Sequence, residues 1–296
     1  MKNRKAIAAY HIMLLPGFVL LILFSIIPMS GIVIAFEKFV PAKGIWGSKW
    51  IGLKNFEYMF SLPDSRDIFV NTLVIATAKI LCQLIVPILV ALLLGEIRTT
   101  WFKRTIQTVV YLPHFLSWVI LGGIISNMCS LDGLANRVIA GLGGKPIMFL
   151  ASNVWFRKVV VLTDTWKEFG FGTVIYMAAM TAIDETLYES AEIDGATRMQ
   201  RIWYVTLPCI APTVVLMATL SLGNVLNAGF EQILTLYNPL VYKTGDILDT
   251  YVYRMGIENA QYGLATAVGL LKSALSMLLI VLSYYLAGRF AHYSIF

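Results

Sequence analysis

The chain has 296 residues, 58% of them hydrophobic and only 14% charged, with a mean hydropathy of +0.74. A soluble domain carries about 25% charged residues, so ordinary core burial does not account for this composition. The net charge of +6 comes without an arginine-rich stripe or interleaved aromatics, which excludes a nucleic-acid partner and fits basic loops flanking membrane spans.

Apolar blocks long enough to cross about 30 Å of hydrocarbon as helix recur along the chain. They predict an all-α, polytopic membrane protein with six transmembrane helices, over 11–36, 70–95, 105–128, 156–182, 210–234 and 264–288. The first block is too long for the apolar region of a cleaved signal peptide, and no small-x-small site follows it. Lys2, Arg4 and Lys5 precede it, and Arg98, Lys103 and Arg104 crowd the short loop after the second span. Short basic segments favour the cytoplasmic side, so both termini and the stretch 183–209 are expected in the cytoplasm. The loops 37–69, 129–155 and 235–263 then face outward, and short amphipathic helices lying on the membrane would suit them. Cys82, Cys129 and Cys209, like His11, His114 and His292, are scattered without ligand spacing, so neither a metal site nor a disulfide framework is predicted.

One polar insert interrupts the apolar pattern: ESAEIDGATRMQRIWYVTLP, from Glu189 to Pro208. Thr186 and Glu189 have the spacing of a capping box, in which a hydroxyl caps the helix and a carboxylate reaches back. Asp194-Gly195 reads as a helix stop, because glycine takes the left-handed position after a helix without steric cost. Thr197 and Gln200 repeat the capping-box spacing. Pro208 falls where a second short helix should end or bend. Helices this short are unstable alone in water, so the segment needs a surface to bury one face. Ser190, Ala191 and Ala196 permit close approach, Glu189 and Glu192 offer acceptors, and Arg198 and Arg201 offer donors. The pattern is that of a docking knob for another protein.

Polar groups inside spans are costly, about 2.5–3.5 kcal/mol for a mid-bilayer charge on insertion scales. Four spans nevertheless carry them at overlapping depths. Lys79 and Lys272 fall about 12–14 Å below the outer surface at about 1.5 Å per residue. Trp166, Lys167 and Glu168 lie slightly deeper in the fourth span, and Asn224, Asn227 and Glu231 occupy the outer half of the fifth. A water-filled pathway for a sugar is one reading, with Trp166 as a stacking face and the lysines hinting at acidic sugars. The alternative is piecemeal: lysines that snorkel, a Lys167–Glu168 pair that does not share a helix face, and asparagines that join helices.

The insert resembles the EAA loop of the permease subunits of ATP-binding-cassette importers, a motif that reads roughly E-A-A-x-x-D-G-A followed at a distance by L-P. Here Glu189, Ala191, Asp194, Gly195, Ala196, Leu207 and Pro208 match, and Ser190 replaces the first alanine. The resemblance covers nearly the whole chain. Asn71-Thr72 looks like the start of the permease core, Leu112-Pro113 with Gly133 and Asn136 is similar to the carbohydrate-uptake branch, and so is the segment from Phe230 to Gly256. Tyr237-Asn238-Pro239, where Gly-Gly-Pro is usual, resembles the LplB/YteP-type sub-branch, which handles oligosaccharides. The resemblance implies a type I, MetI-like permease fold in the bacterial cell membrane. It divides the chain into an N-terminal span with its first outer loop (1–69), a permease core (70–288) holding the coupling loop 183–209, and a short cytoplasmic tail (289–296). It also implies a second permease subunit, a cytoplasmic ATPase dimer seated on the coupling helix, an extracellular solute-binding lipoprotein and an oligosaccharide substrate. Glu189 would pair with a basic residue of the ATPase, and Gly195 would allow the tight turn.

The chain itself lacks a P-loop. The nearest candidate, Gly143-Gly144-Lys145-Pro146, has no Ser or Thr to bind magnesium, and Ile139 occupies the first glycine position. ATP and magnesium are therefore expected on the partner ATPase, with no cofactor in this chain. An ion-gradient-driven sugar transporter is the alternative, and it needs intramembrane carboxylates. Glu168 reads as the only one near mid-span. No HExxH, carboxylate pair or Ser–His constellation supports a membrane enzyme.

Overall fold

The computed structural model describes residues 4–291. His292 and the end of the tail predicted over 289–296 lie outside them. The chain forms two compact units. One takes the residues up to Pro63 together with Val252–Leu271, and the other takes Asp64–Tyr251 and the residues from Lys272 onward.

In the first unit, α1 (Arg4–Leu21) passes through a π-turn at Ile22–Ile26 and tightens to 3-10 helix over Ser30–Phe36. Pro28 explains the π-turn, since it offers no N–H to the ladder and the wider turn absorbs the mismatch. Beyond it, β1 (Glu37–Lys38) pairs antiparallel with β2 (Lys49–Trp50), and α2 (Lys54–Ser61) follows. The Asn55 amide ties α2 to the root of the hairpin by donating to the carbonyls of Ala35 at 2.8 Å and Glu37 at 3.1 Å.

The second unit is helical. Its elements are α3 (Ser65–Gly95), α4 (Thr100–Tyr111), α5 (Trp118–Cys129), α6 (Leu134–Gly141), α7 (Phe156–Thr181), α8 (Glu185–Ile193), α9 (Arg198–Gly223) and α10 (Phe230–Leu236). Then α11 (Leu248–Tyr253) and α12 (Tyr262–Ala291) pass between the units along the chain. The core of the second unit is apolar: Ile75, Leu121, Phe156, Val160, Ile233 and Val241 are fully buried. The long helices α3 and α7 pack along each other. Where α7 crosses α4, Gly170 lets the chains touch, for a Cβ there would lie 2.1 Å from the Val110 carbonyl oxygen.

Among the described residues, five stretches are apolar and long enough to span a membrane: Tyr10–Phe36, Ser65–Gly95, Trp118–Gly141, Arg198–Gly223 and Tyr262–Tyr285. The fourth predicted span is α7, whose 26 residues are long enough to cross but include Arg157, Lys158, Asp164, Lys167 and Glu168. Two predicted spans are displaced. The third, expected as one helix over 105–128, breaks at Leu112–Phe115, where Pro113 sits. It restarts at Ser117, whose hydroxyl accepts from the Ile120 N–H. The fifth, expected to reach 234, ends at Gly223.

Polar residues pin the loops. Asn136 donates to the carbonyls of Ser130 and Ile147 and accepts from the Ile147 N–H at 2.7 Å. Asn71 donates to the Asp246 and Lys243 carbonyls and accepts from Arg157, which in turn reaches the Thr244 carbonyl. Thr72 accepts from the Leu248 N–H at 2.9 Å. Asn238 reaches the Leu150 carbonyl at 2.9 Å and caps its own turn through Leu240 N–H. Asn71, Thr72, Asn136 and Asn238, which carried part of the family resemblance, are thus loop staples.

Gly170→Ala tests the crossing. Overpacking at a fixed backbone contact costs about 1–3 kcal/mol, so this variant should melt earlier in detergent. Gly269→Ala, at a glycine with nothing within 4 Å, should match the parent protein. Equal melting of the two variants would show that the close crossing contributes nothing.

Candidate functional site

The insert is built as two short helices joined by a tight turn. Asp184, not Thr186, caps α8: its carboxylate accepts the Thr186 N–H at 3.0 Å. That bond holds the Asp184 carboxyl below the usual carboxylate range. The predicted Thr186–Glu189 box therefore gives way to a cap two residues earlier, since aspartate at the first position competes directly for the same free N–H groups. Glu189 and Ser190 sit within α8, and Ser190 donates back to the Thr186 carbonyl.

At the far end, Gly195 has φ +77°. Its N–H donates to the Glu192 carbonyl, and the Ala196 N–H donates to the Ala191 carbonyl at 2.9 Å. This pair of bonds is a Schellman closure. Asp194-Gly195-Ala196 is thereby explained atom by atom: a side chain at Gly195 would strain the left-handed backbone. Thr197 and Gln200 form the predicted capping box at the start of α9. Arg201 pairs with Glu192 at 3.3 Å across the turn, and Tyr188 meets the Thr206 hydroxyl at 2.9 Å. Of the two outcomes expected at Leu207-Pro208, an end or a bend, helix α9 does not take the first. A π-turn at Ile202–Thr206 takes up the proline, and the helix runs on to Gly223. The insert exposes large apolar groups: Ile193 is 86% and Tyr204 79% exposed, with Met199 and Trp203 beside them in sequence also exposed.

The intramembrane polar groups resolve into pairs. In the 224–229 segment the helix breaks, and Gly229, at φ +94°, starts α10. A break in a span frees backbone carbonyls that hydrocarbon cannot satisfy. Lys79 supplies the donor: its ammonium lies 2.8 Å from the Ala228 carbonyl, 3.0 Å from Asp164 and 2.5 Å from the Gln232 amide oxygen. Gln83 donates to the other Asp164 oxygen at 2.6 Å, and Gln232 donates to the Val160 carbonyl and Thr163 hydroxyl. Lys79 and Asp164 are both buried. On α12, Lys272 pairs with Asp249 at 2.5 Å and reaches the Asn227 amide oxygen at 2.8 Å; Asn227 donates in turn to Asn224 at 3.2 Å. On α7, Lys167 and Glu168 meet at 2.8 Å, and His114 joins Glu168 at 2.7 Å with its ring stacked on Phe171. Lys167 also donates to the His114 carbonyl.

A cavity of about 320 Å³ opens beside the first pair, lined by Gln83, Asp164, Ser221, Asn224 and Asn227 with Lys79 at its wall. Three of the eight predicted pathway residues, Lys79, Asn224 and Asn227, line it, and Lys272 reaches it through Asn227. Trp166, Lys167, Glu168 and Glu231 do not line it; Trp166 is half exposed and Glu231 sits exposed on α10. Several expectations need correction. Lys79 and Lys272 are paired inward and do not snorkel. Lys167 and Glu168 do meet, because both long side chains converge on His114. Glu168 is not the only carboxylate near mid-span, since Asp164 lies one turn before it. Asp164, Gln83, Gln232 and Asp249 went unread. A lone lysine in a span demands an acidic partner, and that demand was the available signal for Asp164.

Among the described residues, no group of three or more His, Cys, Asp or Glu could hold a metal ion. What the second unit offers is a pair of capped helices at one end of α9 and a partly polar cavity at the other.

Residues 83–292 match the family described as the binding-protein-dependent transport system inner membrane component. The chain belongs to this family. It is a multi-pass membrane permease component of such a transport system. The permease is 42% identical over 287 residues to the polygalacturonan/rhamnogalacturonan transport system permease protein YteP of Bacillus subtilis (strain 168), covering 97% of this chain and 89% of that protein. It also superimposes on a chain of a bacterial ABC transporter that imports the acidic polysaccharide alginate, with a TM-score of 0.90, 35% identity and 97% of each chain covered. A second structure, of the alginate transporter with an alginate pentasaccharide-bound periplasmic protein, matches with a TM-score of 0.89, 34% identity and 96% of each chain.

Truncating one partner of a buried ion pair leaves an uncompensated charge and costs about 3–5 kcal/mol. Lys79→Met should therefore lower the melting temperature of the purified permease sharply, and Lys79→Met with Asp164→Leu should recover part of the loss. A single variant as stable as the parent would remove the pair from the account of the helix break.

Proposed function

We propose that this permease is one of two membrane halves of an ATP-driven importer for oligosaccharides. The observation that carries the reading is the insert: two capped helices around a Schellman turn, presenting exposed Ile193, Met199, Trp203 and Tyr204 to a partner surface. A cytoplasmic ATPase dimer fits that role, with Glu189 as an acceptor for one of its basic residues. ATP and magnesium act there, and this chain performs no hydrolysis. A second permease subunit completes the pathway, and an extracellular binding lipoprotein delivers the sugar. Both termini and the insert lie on the cytoplasmic side.

Oligosaccharide as the substrate class rests on the relatives named for pectic and alginate transport. In the cavity, Gln83, Ser221, Asn224 and Asn227 match sugar hydroxyls. The lysines do not argue for an acidic sugar, because Lys79 and Lys272 are each neutralised by an aspartate.

Glu189→Ala and Gly195→Val test the coupling role in the assembled importer. Both should keep normal membrane insertion, lose the ATPase on affinity purification of the tagged permease, and lose sugar uptake. Normal uptake together with normal ATPase recovery in both variants would refute the assignment.

A further inference from the structure

The hairpin that follows the first span presents a tryptophan for which the fold has no use. Trp46 is 99% exposed, in the loop between β1 and β2. That segment is not loose. Gly44 turns the chain at φ +66°, the Ser48 hydroxyl donates to the Gly44 carbonyl at 2.7 Å and accepts from the Val40 N–H at 3.0 Å, and the Lys43 N–H donates to the Val40 carbonyl. At the root, the Ile51 N–H donates to the Phe36 carbonyl at 2.8 Å, Trp50 stacks on Phe36 at 5.5 Å, and Phe39 meets Tyr262 edge-on. A braced loop that holds an indole in water needs something to cover it. The charges around it have one sign. Between Glu37 and Glu57 the sequence has four lysines, Lys38, Lys43, Lys49 and Lys54, and no carboxylate.

We propose that this hairpin is an interfacial anchor that seats Trp46 among anionic phospholipid headgroups. Continuity places it there. Phe36 ends the stretch Tyr10–Phe36, so Trp50, stacked on it, marks the membrane boundary. Only two paired residues, Glu37 and Lys38, separate Phe36 from the loop, whose residues are folded into the short turns Pro41–Lys43 and Gly44–Gly47. Chemistry selects lipid over protein. Tryptophan with lysine is the composition of membrane interfaces, where the indole lies at headgroup depth, whereas protein–protein interfaces are depleted in lysine and enriched in arginine. The segment from Lys38 to Phe56 holds no arginine. The anchor would fix the end of the first span at a set depth, independently of what the importer carries.

The test uses the whole importer in nanodiscs of phosphatidylcholine, with and without phosphatidylglycerol, made with acyl-brominated lipid as a contact quencher. The chain has seven tryptophans, so the Trp46 signal is taken as parent emission minus that of Trp46→Phe. It should be quenched by brominated phosphatidylglycerol and be unchanged when the binding protein is added. Lys43→Gln with Lys49→Gln should weaken the preference for phosphatidylglycerol, read by native mass spectrometry, by about fivefold for each lysine removed. An unquenched Trp46 signal would overturn the anchor, as would a signal that changes only on addition of the binding protein, which would make the hairpin a protein-docking surface. Failure of the uptake tests at Glu189 and Gly195 would leave this result untouched.

Discussion

A lysine ammonium has three protons to donate and, inside a membrane, no water to receive them. At Lys79 all three find acceptors, and the choice of acceptors organises the second unit: Asp164 from α7, and the Ala228 carbonyl and Gln232 side chain from either side of Gly229. The aspartate neutralises the charge, and the carbonyl is the group that the helix break would otherwise leave unsatisfied. Because Gln232 also holds Val160 and Thr163, the same node ties three elements at one depth. A break in a spanning helix is tolerable only where such a donor exists. The polar residues of the cavity, Asn224 and Asn227, sit on the segment that this donor holds.

The insert follows an opposite logic. Its terminal backbone groups are satisfied locally, by the Asp184 cap, the Schellman bonds at Gly195 and the Thr197 box, so what it lacks is a surface to bury one face. Its apolar side chains are left uncovered. A segment that is capped at its turns and uncovered on one face is suited to receiving another protein. Membership in the family of binding-protein-dependent transport components gives that partner its setting.

Much of this was legible in the sequence, and the exceptions have physical causes. Spans were read because about 20 apolar residues in a row have few alternatives to crossing a bilayer. The break at Leu112–Phe115 was missed although Pro113 stood in plain view, since prolines inside α1, α3 and α9 are absorbed without ending those helices. The end at Gly223 was missed because the residues beyond it, Val225, Leu226 and Ala228, are as apolar as a span; they are buried as irregular chain. In the insert, Gly195 and Thr197 were read correctly because left-handed turns and hydroxyl caps are local chemistry. Asp184 lost to Thr186 because both fit the start of the helix and only geometry decides. The pairs Lys79–Asp164 and Lys272–Asp249 join different elements, and composition cannot say which charges meet.

The insert and the cavity are described above as separate places, yet one element joins them. Helix α9 runs unbroken from Arg198, at the insert, to Gly223, where the break bordering the cavity begins. Its 26 residues make a rod about 39 Å long at about 1.5 Å per residue. The π-turn at Ile202–Thr206 lies close to the insert end of that helix. The helix from Leu207 to Gly223 carries Pro212 inside it and leads directly to Asn224. The insert and the edge of the cavity are thus opposite ends of one helix.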